Sequence, residues 1–462
     1  MTVRLSPQPA PASRGLNRSV NLATTRTDRR MPDAACIDCL SHSHSSKLRR
    51  PGLPRRVAFW LLAFVFTATM LGTTLPTPLY VIYQAQWRFS AAVVTVIFAV
   101  YATGVLAALL LAGRLSDQAG RKPVLAAALG FSALSTVVFI VAPNVEVLLA
   151  ARILSGLSAG LMTGTATATL TELIPASGGR RSSLVATAAN MGGLGLGPLV
   201  AGLFAQYAPK PTVAVFEVYL VVLAAAALCL FFVPETVSPR RRPTLRFAGL
   251  GIPDGSRGEF IAAGMAGFSA FSLLGLFSAL APTFLGSVIH QHSHAIAGAV
   301  VFLLFAAGTF TQLLASRFGS RKVVTAGLSL LLAALALIVA ALSQATMALF
   351  LAAIVVAGVA VGAVFLGSLA TANRLAPPEY RGQVISTYFV LCYCGLIIPV
   401  VGVGVASEFI GDFPAVLAFS SLLAALCLFS LVSIRRAIAP GPPRWSSSAR
   451  RRHASPDDLV SQ

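Results

Sequence analysis

The chain has 462 residues, of which 56% are hydrophobic and only 11% charged. A water-soluble protein of this length needs a far more polar surface, so soluble enzymes and soluble binding modules are excluded. The net charge of +20 is spread over alternate loops instead of gathered into one patch. That distribution argues against a nucleic-acid partner and follows the positive-inside pattern of a membrane protein, with both termini in the cytoplasm.

Residues 1–56 hold 11 of the 35 Lys and Arg and no apolar run. They read as a disordered basic tail. Within them, Cys36, Cys39, His42 and His44 carry the atoms for a tetrahedral zinc site, but crowd too closely to wrap an ion, so no metal is expected. Met31 is an alternative start. No cleavable signal precedes the first apolar run, which reads as an uncleaved anchor. The other cysteines, Cys229, Cys392, Cys394 and Cys427, fall inside apolar runs and imply no disulfide framework.

From residue 57 onward, apolar stretches of about 20 residues recur, each long enough to span a bilayer as a helix. Alternating strand patterns are absent, which excludes a barrel. Six helices are predicted in an N-terminal half over 57–233, at 58–82, 91–112, 123–142, 146–171, 184–207 and 214–233. The first ends in TTLPTPLYVIYQ. There Pro76 and Pro78 break the helix, and Tyr80 reads either as a solute contact or as part of an interfacial aromatic belt.

The turn after the second helix reads GRLSDQAGRKPVL. Gly113 and Gly120 permit a tight link, while Arg121 and Lys122 hold the turn inside by charge. Asp117 is the unusual residue. A lone exposed acid beside bases is worth little, but it can also seek the positive start of a helix. The fourth helix carries Arg152 about a turn and a half from its outer end. A charge there is expensive and has a partner, a role, or a path to the surface along its own stem. Glu172 closes the same helix, after several threonines that can bond their own backbone.

The fifth helix contains Asn190 and the run NMGGLGLGPLVAG, in which Gly193, Gly197, Pro198 and Gly202 allow close helix crossing and a bend. Glu217 lies near the outer end of the sixth. Only Glu172, Glu217 and Asp117 are placed to carry protons, because no acid occupies the middle of any helix. A Pro/Gly-rich basic linker over 234–258 follows.

The C-terminal half, 259–436, repeats the plan with helices at 259–284, 295–315, 323–343, 346–371, 384–406 and 415–434. Arg121-Lys122 recurs as Arg321-Lys322, and Arg181 as Arg381, at an offset of about 200 residues. A duplicated helical bundle places a solute path between its halves. Candidates to line it are Phe271, Phe365 and the amide of Gln312, together with Tyr80 and Asn190. The external loop with His290, His292 and His294 reads as solvated. Residues 437–462 form a second disordered tail.

Taken together, these motifs resemble the major facilitator superfamily. Its loop signature G-x-L-a-D-r-x-G-r-k-x-x-l is met by Gly113, Leu115, Asp117, Gly120, Arg121, Lys122 and Leu125, with Ser116 and Gln118 as departures. The resemblance implies a latch in which Asp117 faces the turn at Arg381–Gln383 and favours the outward-open state. It also implies a link between Arg152 and proton transfer, with Ser155 standing at that motif's Gln position. The fifth helix resembles an antiporter signature, with Ala201 replacing one Gly.

The reading is an all-α integral membrane protein of twelve transmembrane helices in two six-helix pseudo-repeats. The expected function is proton-coupled export of drugs or small metabolites by alternating access. The alternative is a sugar or metabolite importer or facilitator on the same fold. No metalloprotease, Gly-flanked Ser or P-loop motif points to an enzyme. GGLGLG lies within a membrane helix and is no dinucleotide site. No cofactor is expected, and the partners are a small solute, protons and the lipid of the plasma (inner) membrane, around a monomer.

Overall fold

The computed structural model describes residues 54–436, apart from 113–114, 175–178, 238–248, 254–255 and 378–379. Both tails, the Cys36–His44 run, Gly113 and much of the linker lie outside the described residues. Among those described, no strand forms, and 12 helices are long and apolar enough to cross a membrane. In lipid the backbone must satisfy its own hydrogen bonds, and a helix does so within one segment.

These spans are α1 (Arg55–Trp87), α2 (Ala91–Ala112), α3 (Arg121–Val141), α4 (Val145–Leu173), α5 (Gly179–Tyr207) and α6 (Pro211–Phe232) in the first half. The second half has α7 (Arg257–Ser287), α8 (His294–Ala315), α9 (Ser320–Ser343), α10 (Met347–Leu375), α11 (Arg381–Ile410) and α12 (Asp412–Arg436). Several outrun the apolar stretch that marks them in sequence. A helix of 29–31 residues, such as α4 or α7, measures roughly 45 Å against an apolar core of about 30 Å. Its ends therefore reach into the polar interface.

Local chemistry sets the boundaries. Asn144 caps α4 by accepting a hydrogen bond from the Val147 N–H at 3.1 Å, which satisfies one orphan donor. Ser293 does the same for α8. Within α1, a helix over Arg55–Thr74 gives way to a buried 3-10 turn at Thr77–Leu79 and resumes at Tyr80. Pro76 and Pro78 lack the N–H groups a continuous ladder needs.

In the first half, α4 packs on α2 and α3, α1 on α4, α5 and α6, and α3 on α6. In the second half, α10 packs on α8 and α9, α7 on α10, α11 and α12, and α9 on α12. Every pair shifts by six. The halves meet through α5 with α8 and α2 with α11, pairs that exchange under the same shift.

Both seams close at the end opposite the 115–119 turn. A Cβ on Gly202 would stand 2.6 Å from the carbonyl oxygen of His294 and 2.9 Å from the Cα of Gly298. Gly404 likewise has room only for hydrogen against Thr95. The Gln206 Oε1 accepts from the His294 N–H at 3.1 Å and from the Ser293 hydroxyl at 3.3 Å. The Ala92 N–H donates to Glu408 at 3.3 Å.

Candidate functional site

Between the halves lies a cavity of about 310 Å³. Phe98 and Tyr101 of α2, Phe271 of α7, Phe305 of α8, Phe365 of α10, and Phe389 and Tyr393 of α11 supply its aromatic walls. Phe271 centres the cluster, with ring centroids 5.5 Å from Phe365 and 5.6 Å from Tyr393. Among the described residues no acid or base lines it. Its threonines are mostly occupied: Thr74 donates to the Leu194 carbonyl at 2.7 Å and Thr167 to that of Thr163 at 2.7 Å. Asn190 and the Ser278 hydroxyl, which is buried without a partner, are left to meet a solute.

The cavity runs toward the 115–119 end. Gly164 and Thr167 of α4 line it and are exposed, and a Cβ on Gly164 would meet nothing within 4 Å. With both seams shut at the other end, access is from one side only.

Behind Tyr101 lies Arg152, fully buried at 0% exposure. It does not run to the outer surface along its own stem. Its Nη1 donates to the Thr73 carbonyl at 2.6 Å. Its guanidinium carbon stands 5.3 Å from the ring centres of both Tyr80 and Tyr101. That arrangement is attractive because the ring faces are electron-rich. No carboxylate pairs with it among the described residues, and its Nε and Nη2 find no hydrogen-bond partner. The hydroxyls of Thr77, Tyr80 and Tyr83 are also buried and unpartnered. The Tyr80 hydroxyl lies near the guanidinium without completing a hydrogen bond to it.

At the open end, the 115–119 turn forms a charge network with the start of α3, the end of α4 and the beginning of the linker. Arg121 Nη1 meets Asp117 at 2.5 Å and the Ser116 hydroxyl at 2.6 Å, and its Nη2 meets Glu172 at 2.7 Å. Thr236 donates to Glu172. Glu235 caps α3, accepting from the N–H groups of Arg121 at 2.8 Å and Lys122 at 2.9 Å. Lys122 Nζ donates to the Phe231 carbonyl at 2.6 Å. The ion pair of Asp117 is thus with Arg121 and not with the start of α11, where the sequence reading placed its partner. With the cavity open at this end, such a contact across the halves has no reason to form.

Several residues singled out in sequence lie off the cavity wall. Tyr80 stacks on Arg152 instead. Gln312 is buried in α8 but does not line the cavity. Glu172 belongs to the turn network, and Glu217 is exposed on α6. Asn190, Phe271 and Phe365 do line the wall. The glycine run of α5 serves two faces: Gly193 and Gly197 pack on α1, while the Pro198 carbonyl and Gly202 pack on Gly298 of α8. Sequence reasoning missed Tyr101, Phe389, Tyr393 and Glu235. The tyrosines carried a signal, a phenol in mid-helix. Glu235 carried only its place in a Pro-Glu-Thr run.

A model of the Major Facilitator Superfamily matches residues 62–398 and 260–460, and the chain belongs to that family of membrane transporters. It is 30% identical over 115 residues to an uncharacterized transporter of Rickettsia bellii (strain RML369-C), a match that covers 24% of this chain and 28% of that protein. The fold is similar to that of a bacterial homolog of the human lysosomal transporter Spinster in an inward-facing, unoccupied conformation. There the TM-score is 0.66 at 15% identity, over 84% of this chain and 98% of that one. A human organic anion transporter matches with a TM-score of 0.61 at 19% identity, over 82% and 100% of the two chains.

Proposed function

We propose that this protein is a proton-coupled exporter that carries small, largely apolar drugs or metabolites by alternating access. The observation that carries the reading is the aromatic cavity between two halves, shut at one end by the α5–α8 and α2–α11 seams and open at the other. Rocking the halves about that cavity moves access from one side to the other. The open end bears the Arg121 network, and the positive-inside rule makes it cytoplasmic. The state described is then inward-facing, in the plasma membrane, with both termini cytoplasmic and the monomer as the working unit.

Export is favoured by the glycine run of α5, which is fuller than its counterpart CGLIIPVVGVG in α11. Arg152, Glu172 and Glu217 are the residues proposed for proton coupling. One observation favours a second reading, an uncoupled facilitator or importer: no carboxylate lines the cavity among the described residues.

The test is accumulation of a panel of dyes, antibiotics and sugars in cells that lack their main exporters, with and without the protein. Each compound is measured again after the proton gradient is collapsed. Lowered accumulation that the uncoupler restores supports the exporter. Raised accumulation of a sugar or metabolite overturns it in favour of import.

A further inference from the structure

We propose that Arg152, together with the hydroxyl of Tyr80 beside it, binds the carboxylate of an amphipathic organic anion whose apolar body occupies the aromatic cavity. The inference rests on the transport reading for the identity of that cavity, and it names the charge of the solute.

A guanidinium stays charged in any protein environment. Withdrawing it from water without a counter-charge is costly, and an intramembrane charge that persists has a use. The faces of Tyr80 and Tyr101 offset part of that cost but a ring face accepts no conventional hydrogen bond in the direction the N–H groups point. Those N–H groups remain to be filled. The Thr73 carbonyl takes Nη1, and the pair left over is Nε and Nη2. That pair forms the lateral edge of the fork, whose two parallel N–H bonds match the two oxygens of a carboxylate. Water can accept from either donor, but it brings no charge. The unpartnered Tyr80 hydroxyl lies beside the guanidinium and can donate to an anion; those of Tyr83 and Thr77, on the same broken stretch of α1, are also buried without partners.

Access is built into the same elements. Tyr101 is a shared wall, facing Arg152 on one side and the cavity on the other. The 3-10 turn at Thr77–Leu79 packs on α5, and on α7 and α8 of the opposite half. Separation of the halves at the closed end withdraws α7 and α8 from that turn and uncovers the cluster. An anion seated on Arg152 then faces the side to which the protein opens.

The test uses the full chain in lipid nanodiscs and measures melting temperature and equilibrium binding. The probes are 2-naphthoate and straight-chain carboxylates of six to twelve carbons, each paired with its neutral amide. The expected result is that carboxylates bind at least about tenfold more tightly than their amides. Arg152→Lys, which keeps the charge but loses the fork, should weaken the carboxylates about tenfold. Arg152→Met should bring each carboxylate to the level of its amide while the unliganded protein melts no lower than wild type. That outcome separates a binding role from a structural one, since an uncompensated buried charge contributes nothing to the empty fold. Tyr80→Phe should cost the carboxylates severalfold and leave the amides alone.

The proposal is overturned if no carboxylate outbinds its amide. It is also overturned if Arg152→Met binds carboxylates as wild type does, or if chloride or sulfate alone gives the full stabilisation, which makes the partner an inorganic ion. Because binding is read at equilibrium, it can succeed even where the transport panel shows no movement. Failure here leaves transport of neutral solutes standing.

Discussion

Arg121, at the first position of α3, holds Glu172, in the last turn of α4, through two of its guanidinium nitrogens, the shorter bond being 2.7 Å. The pair ties the start of one membrane helix to the end of another, beside the mouth of the cavity. Arg121 is the less exposed partner, its side chain being 10% accessible against 31% for Glu172 and 58% for Asp117. The network therefore hangs on Arg121.

Replacing Arg121 by Ala should lower stability by about 1–2 kcal/mol, a figure reduced for the exposure of its partners. Asp117→Asn should cost little stability. It should still slow initial transport severalfold at equal membrane abundance, if the outward-open state needs the turn to bind the other half. Initial rates normalised to surface protein are the measurement. Unchanged rates would remove Asp117 from the conformational cycle.

Gly120 has φ at 98° and leaves a Cβ only 2.7 Å from the Glu235 carboxylate. Gly120→Ala should destabilise by about 1–3 kcal/mol, from backbone strain together with a displaced cap. The double variant with Glu235→Ala should lose less than the sum of the two single changes, because the clash is then gone. Thermal melts of all four proteins measure that coupling. Strict additivity would mean that the cap survives the Gly120 change.

Gly298→Val should prop the α5–α8 seam apart, since any Cβ there meets the Pro198 carbonyl. Transport should fall to background. A single cysteine placed at Thr77, in a protein stripped of its own cysteines, should become reactive to a membrane-impermeant thiol reagent from the normally closed side. Labelling equal to that of the parent would show that this seam does not gate access.

Phe271→Ala removes the ring that contacts both Phe365 and Tyr393. Affinity for an apolar solute should drop about tenfold, the loss expected for one aromatic contact in a buried pocket. Solute affinity in competition binding tests it, with Phe305→Ala as a second wall of the same cavity.

The sequence revealed the number of helices because lipid demands uninterrupted apolar runs, and such runs need no knowledge of neighbours. It also revealed the 113–125 turn, where charge and glycine stand out against oil. Which way a side chain faces was harder to read. A membrane helix is apolar toward lipid and toward its neighbours alike, so periodicity does not distinguish the two faces. Hence Gln312 read as a pore amide yet lies away from the cavity, and Tyr101 passed unnoticed although it walls it. Arg152 was legible as a charge inside the membrane. That its lateral edge has no partner depends on α1 and α2, dozens of residues away. Glu235 caps a helix that begins 114 residues earlier, a relation that no local pattern carries.

The seams that shut one end of the cavity are made mainly of glycines against carbonyls and a threonine, with the polar links of Gln206 and Glu408 at the rim. A joint of that kind parts by trading close van der Waals contact for looser contact with water or lipid, and few polar bonds are broken along the way. Its strength is set by surface area and fit. Ionic strength should therefore leave the opening rate nearly untouched, while bilayer thickness, hydrostatic pressure and temperature should govern it. The protein would then sense the mechanical state of its membrane more readily than the salt on either side.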